Sequence, residues 1–166
     1  MFYGSKEAQE KEARERAAEY REAAGFFPAV VKVLNAFAGK VYNCKLDKET
    51  RAATNNKVRA EYKYNCITLY TWNRGRQTTI ASYKPEESDK TPAGKVRINA
   101  AALIASAREC REKSLKEAAE IENAIETAPQ VLEYIKQCKE KLEALTRRFP
   151  SEIRDIYNLP YSIRLN

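Results

Sequence analysis

The chain has 166 residues, with 30 lysines and arginines, 23 aspartates and glutamates, a net charge of +7 and no histidine. That length fits one domain, or one domain with an extension. Without histidine, every histidine-dependent catalytic triad, dyad or metal site is excluded, and no apolar run approaches the ~20 residues of a membrane span.

In chain order, residues 5–24 predict a helix rich in Ala, Glu, Lys and Arg, with Ser5 as its cap. Its apolar stripe is thin, chiefly Ala13, Ala17, Tyr20 and Ala24, so residues 1–24 are expected to project as a charged arm. Gly25 is the expected C-cap and Pro28 the start of a second helix over 28–38. Val30, Val31, Leu34 and Phe37 share one side of that helix and predict burial. Gly39 ends it, and "KVYNCKL" predicts a strand with Val41 and Tyr42 on opposite faces. The stretch "DKETRAATNN" is a short helix or a structured loop.

"KVRAEYKYNCITLYTW" alternates with period two: Val58, Ala60, Tyr62 and Tyr64 on one parity, Arg59, Glu61 and Lys63 on the other. Asn65 either turns the chain or bulges it. Arg74-Gly75 predicts a two-residue type I′ turn that sets Leu69 opposite Ile80, Tyr70 opposite Thr79 and Trp72 opposite Gln77. "KPEESDKTPAG" reads as a flexible polar loop. Asn99 then caps a long helix whose apolar positions run Leu103, Ala107, Cys110, Ser114, Ala118, Ile121, Ile125 and Ala128. Pro129 opens the next helix, with Val131, Ile135, Cys138, Leu142, Leu145 and Phe149 spaced 4-3-4-3-4. Together these predict an antiparallel helical hairpin whose two stripes are core. "SEIRDIY" adds a short helix, and "YSIRL" an edge strand or a tail.

The expected fold is therefore α+β: N-terminal helices, a small antiparallel sheet with a basic hairpin, and a C-terminal helical hairpin. Residues 25–166 form one domain, with a helix at 28–38, a sheet region at 40–84 and a helical region at 99–157.

The charge is localised. Residues 1–39 carry six basic and six acidic side chains, residues 99–166 eleven of each, and residues 40–98 thirteen basic against six acidic. A local cationic field concentrates polyanions or acidic protein surfaces. Its candidate binding residues are Lys57, Arg59, Lys63, Tyr70, Trp72, Arg74, Arg76, Lys84, Lys95 and Arg97. Arginine forks meet phosphates bidentately and aromatic planes stack on bases. The competing expectation for Tyr62, Tyr64, Tyr70 and Trp72 is core packing beneath the helices.

Catalytic chemistry finds little support. There is no Walker loop and no G-x-G-x-x-G, so no cofactor or small-molecule substrate is expected. Cys44, Cys66, Cys110 and Cys138 lack the paired spacing of a zinc site and are expected as reduced, packed thiols, Cys110 included. The first 20 residues lack the apolar core of a signal peptide, which makes the cytosol the simplest address.

The segments "VVKVLNAFAGKVYN", "GKVRINAAALIASARE" and "IRDIYNLP", with the polar hairpin between them, resemble small proteins of phages and integrative elements of gut Firmicutes. In outline the chain resembles phage-encoded anti-CRISPR inhibitors of type II RNA-guided nucleases: a charged N-terminal helix, a small sheet and closing helices. The loop "KPEESDKTPAG" has no counterpart, and no functional residue is carried over. The resemblance implies a non-enzymatic inhibitor in the bacterial cytoplasm whose partner is the nuclease complex, double-stranded DNA, or both. A general DNA-binding accessory protein and a helical oligomerising protein are the alternatives.

Overall fold

The structure, a computed structural model, describes residues 5–160 and Ser162. Three helices come first: α1 (Lys6–Gly25), α2 (Phe27–Phe37) and α3 (Lys45–Ala53). Strands β1 (Val58–Lys63), β2 (Cys66–Asn73) and β3 (Arg76–Tyr83) form an antiparallel sheet in the order β1-β2-β3. Helices α4 (Ala100–Thr146) and α5 (Ser151–Ile156) follow. Strands segregated from helices make the architecture α+β, as the sequence pattern predicts. The expectation for residues 161–165 falls, Ser162 apart, outside the described residues.

Two compact units divide the chain, residues 1–122 and 123–166. Helix α1 belongs to the first unit and is not a free arm. Ser5 does cap it, its hydroxyl accepting from the Ala8 N–H at 3.3 Å. But Ala17, Ala23 and Ala24 are buried. Alanine exposes little apolar area yet lets a helix backbone approach closely, so a stripe that looks thin in sequence still packs. Gly25 stays helical, and Phe26 takes the C-cap in right-handed geometry (φ −78°, ψ −8°). The chain then enters α2 directly, with Pro28 in its first turn.

Val30, Val33 and Leu34 bury the inner side of α2. The strand expected at Val41–Tyr42 shrinks to one bridge, Val41 to Arg97. Asn43 is the reason. Its Oδ1 accepts from the Lys45 N–H at 2.8 Å and its Nδ2 donates to the Val41 carbonyl at 3.1 Å, turning the chain into α3. The Ala60 N–H donates to Asp47 Oδ1 at 2.9 Å and ties α3 to β1.

Both hairpins close on two-residue turns with positive φ. Tyr64 and Asn65 (φ 52° and 57°) join β1 to β2, and Arg74 and Gly75 (φ 49° and 79°) join β2 to β3. Asn65 therefore turns the chain. Tyr70 faces Thr79 and Trp72 faces Gln77, as expected, but Leu69 faces Ala81 rather than Ile80. A bulge at Leu69/Tyr70 makes Ile80 an extra residue, and it delivers two consecutive side chains, Ile80 and Ala81, to the core.

The loop after β3 is ordered around Asp89. Its carboxylate accepts from the Tyr83 hydroxyl at 2.6 Å, the Glu86 N–H at 2.9 Å and Asn99 Nδ2 at 3.2 Å. Polar composition alone suggested flexibility; one buried carboxylate with three donors removes it. Asn99 also caps α4, accepting from the Ala102 N–H at 3.1 Å.

The core gathers Val30 and Leu34 of α2, Leu46 of α3, Val58, Ile67 and Leu69 of the sheet, Ile98, and Leu103 of α4. The expected helical hairpin is absent. Helix α4 runs 47 residues and contains Pro129. A proline removes one intrahelical bond, yet "IETAPQVLE" supplies no glycine or asparagine at which to leave the helix, and its neighbours are good helix formers. The second stripe is not core either: Val131, Ile135, Leu142, Leu145 and Phe149 are all exposed. None of the described helices is long and apolar enough to cross a membrane.

Candidate nucleic-acid interface

Strand parity sorts the sheet into two faces. On the inner face, Val58 pairs with Thr71, Ala60 with Leu69 and Tyr62 with Ile67. All but Tyr62 are buried. On the other face, Arg59 lies directly across from Tyr70, Glu61 from Thr68 and Lys63 from Cys66. Trp72 continues that face beyond Tyr70, with Gln77 and Thr79 opposite on β3. Arg59, Lys63 and Trp72 are exposed and Tyr70 half-buried. The sheet thus presents an open face that carries two cations and two aromatic planes, with Arg59 directly across from Tyr70.

Core packing does not claim the aromatics. Trp72 is 57% exposed and Tyr64, in the turn, 89% exposed. Tyr62 sits at the rim with its ring 5.6 Å from that of Tyr42. Lys63 Nζ stands 5.0 Å over the Tyr64 ring, a cation–π contact at the end of the same strand.

The tip arginines have another arrangement. Arg74 pairs with Glu15 and Arg76 with Glu12, both on α1. A groove of mixed charge lies between helix and turn, lined by Lys11, Glu12, Glu15, Arg16, Arg74 and Arg76. These four partners remain substantially exposed, so each pair contributes only about 0–1 kcal/mol. Glu12 and Glu15 are the functional partners that sequence reasoning missed. They stand 64 and 59 residues from the arginines they hold, and nothing local signals such pairing.

The remaining candidates are dispersed. Lys57, just before β1, approaches Glu22 of α1 at 3.5 Å. Lys84 follows β3, and Lys95 and Arg97 lie on the segment that bridges back to Lys90 and Val41. All are exposed, but they belong to no single strand face with Arg59 and Lys63. Among the described residues, Arg59, Lys63, Lys84, Lys95 and Arg97 face no carboxylate within ion-pair distance, so their charge is open to an anion.

None of the four thiols is fully packed in the core, contrary to expectation. Cys44, the N-cap of α3, is exposed, while Cys66, Cys110 and Cys138 are half-buried free thiols. Cys66 Sγ lies 3.1 Å from Ser82 Oγ on the open face. No family model matches the chain, and no curated protein and no solved structure matches it.

Proposed function

We propose that this protein is a non-enzymatic binding protein that contacts nucleic acid through the open face of its sheet. The observation that supports the reading is that Arg59, Lys63, Tyr70 and Trp72 share one open sheet face, with Arg59 directly across from Tyr70. Cations neutralise phosphates while aromatic planes stack on unpaired bases, a combination suited to single strands and to the displaced or guide strands of a larger complex. Arg74 and Arg76 form a second, conditional contact. Their weak pairs with Glu15 and Glu12 can be exchanged for phosphate at small cost. In the setting that the resemblance to anti-CRISPR inhibitors implies, the strands belong to an RNA-guided nuclease, and binding blocks target engagement.

Fluorescence anisotropy of labelled single-stranded and duplex oligonucleotides tests the reading, at about 50 and about 200 mM salt, where phosphate-driven binding collapses. The expected result is salt-sensitive binding that favours the single strand and drops at least tenfold in Trp72→Ala and in Arg59→Glu/Lys63→Glu. A guided nuclease then loses cleavage when wild-type protein is added and keeps it with the face variants. Absence of binding at low salt overturns the proposal. Binding with an uninhibited nuclease leaves the accessory-protein function in place of inhibition.

A further inference from the structure

No described residue after Ala118 is buried, yet α4 continues for seven more turns. Within residues 123–166, an apolar stripe recurs at Val131, Ile135, Cys138, Leu142, Leu145 and Phe149. Its 4-3-4-3-4 spacing is the seam of a two-stranded coiled coil, carried on α4 as far as Leu145, with Phe149 just past the end of the helix. Val131 is 55% exposed, Ile135 40%, Leu142 and Leu145 51% each and Phe149 46%. Leu132 and Tyr134 flank the seam and are exposed as well. A helix with a wide uncovered apolar stripe is not stabilised by its own sequence; it gains its stability from a surface that covers the stripe.

Charge along the helix says what covers it. Residues 123–135 carry Glu126 and Glu133 and no basic side chain. Residues 136–148 carry Lys136, Lys139, Lys141, Arg147 and Arg148 against Glu140 and Glu143. The helix is acidic in its first part and basic in its last. We infer that the stripe pairs with the same stripe of a second copy of this chain, antiparallel. In that arrangement Val131 meets Leu142 of the other copy and Ile135 meets Cys138. The acidic stretch of each copy then lies beside the basic stretch of the other. A parallel pair would stack like charge on like. Pro129 falls outside the seam and does not obstruct it. The seam and its flanks leave on the order of 600 Å² open per copy. Pairing would remove about 1,200 Å², the lower bound of a standard stable interface.

Sedimentation equilibrium of the full chain from about 1 to about 100 µM tests this. The expected result is a species of twice the 19.0 kDa chain mass that dissociates on dilution. Leu142→Asp should leave a monomer at every concentration. If that variant also loses helix by circular dichroism, the charge variants decide. Glu126→Lys/Glu133→Lys should raise the dissociation constant at least tenfold at low salt, and adding Lys139→Glu/Lys141→Glu to the same chain should restore pairing. A wild-type monomer throughout overturns the inference. So does a dimer indifferent to Leu142→Asp, which would pair elsewhere, or a dimer indifferent to the charge reversals, which would not be antiparallel.

Discussion

Arg74 occupies a backbone conformation that its side chain disfavours. At φ 49° it stands in the left-handed region, where asparagine or glycine is the ordinary occupant of a type I′ turn. Such a residue costs on the order of 1 kcal/mol and persists where something else is gained. Arg74→Asn is therefore expected to raise stability by up to about 1 kcal/mol in chemical denaturation, less the small loss of the Glu15 pair, while weakening nucleic-acid binding.

Asp89 makes the opposite trade, a buried charge held by strong partners. The Tyr83 hydroxyl, first, and then the Glu86 N–H and Asn99 hold its carboxyl below the usual carboxylate range, against the upward push of burial. A depressed folded value means that its stabilisation is complete above the unfolded value near pH 3.9 and is lost as pH falls through the lower folded one. Acid unfolding of the wild-type protein should show this dependence below about pH 4. Asp89→Asn should flatten it and cost about 1–3 kcal/mol at neutral pH, because an amide puts donors where the site already supplies three.

At the scale of elements, α1 holds the key to the hairpin tip. Its C-terminal half is anchored by Ala17, Ala23 and Ala24, while its first turns reach the rest of the protein through Glu12 and Glu15. Those carboxylates occupy the arginines as a phosphate would. Replacing them in Glu12→Gln/Glu15→Gln should increase oligonucleotide affinity several-fold and steepen its salt dependence, since two more cations become available. The same anisotropy titration reads both quantities. An unchanged affinity would show that the tip takes no part in binding.

The sheet shows how far element-level patterns carry. The period-two alternation of β1 and the Arg74-Gly75 turn are legible in sequence because each is written within a few residues. The bulge that sets Leu69 against Ala81 is not, since any residue of β3 could have been the extra one until Ile80 and Ala81 both met the core. Likewise Pro129 carries a real helix-breaking cost, but breaking also requires somewhere for the chain to go. A long run of helix formers without a C-cap provides none.

At the scale of the whole molecule, stability is unevenly distributed. The buried residues belong to the unit formed by residues 1–122, and the described part of 123–166 is exposed or half-buried throughout. In dilute protein, amide hydrogens of residues 123–156 should exchange orders of magnitude faster than those of Val30, Leu34, Leu69 and Leu103, as measured by mass spectrometry. Rising concentration should protect the first set alone if the stripe pairs with a second copy.

What the sequence by itself determined is the local part. The first two helices, the three strands of the sheet, the caps at Ser5 and Asn99, the Arg74-Gly75 turn and the confinement of the net charge to residues 40–98 are all set by neighbours along the chain. The tertiary structure alone decided which apolar stripe became core, that α1 packs rather than projects, and that Arg74 and Arg76 face carboxylates while Arg59 and Lys63 do not. Periodicity states that a face is apolar or charged, but not what covers it. That depends on groups some sixty residues apart along the chain, brought together by burial of a shared core.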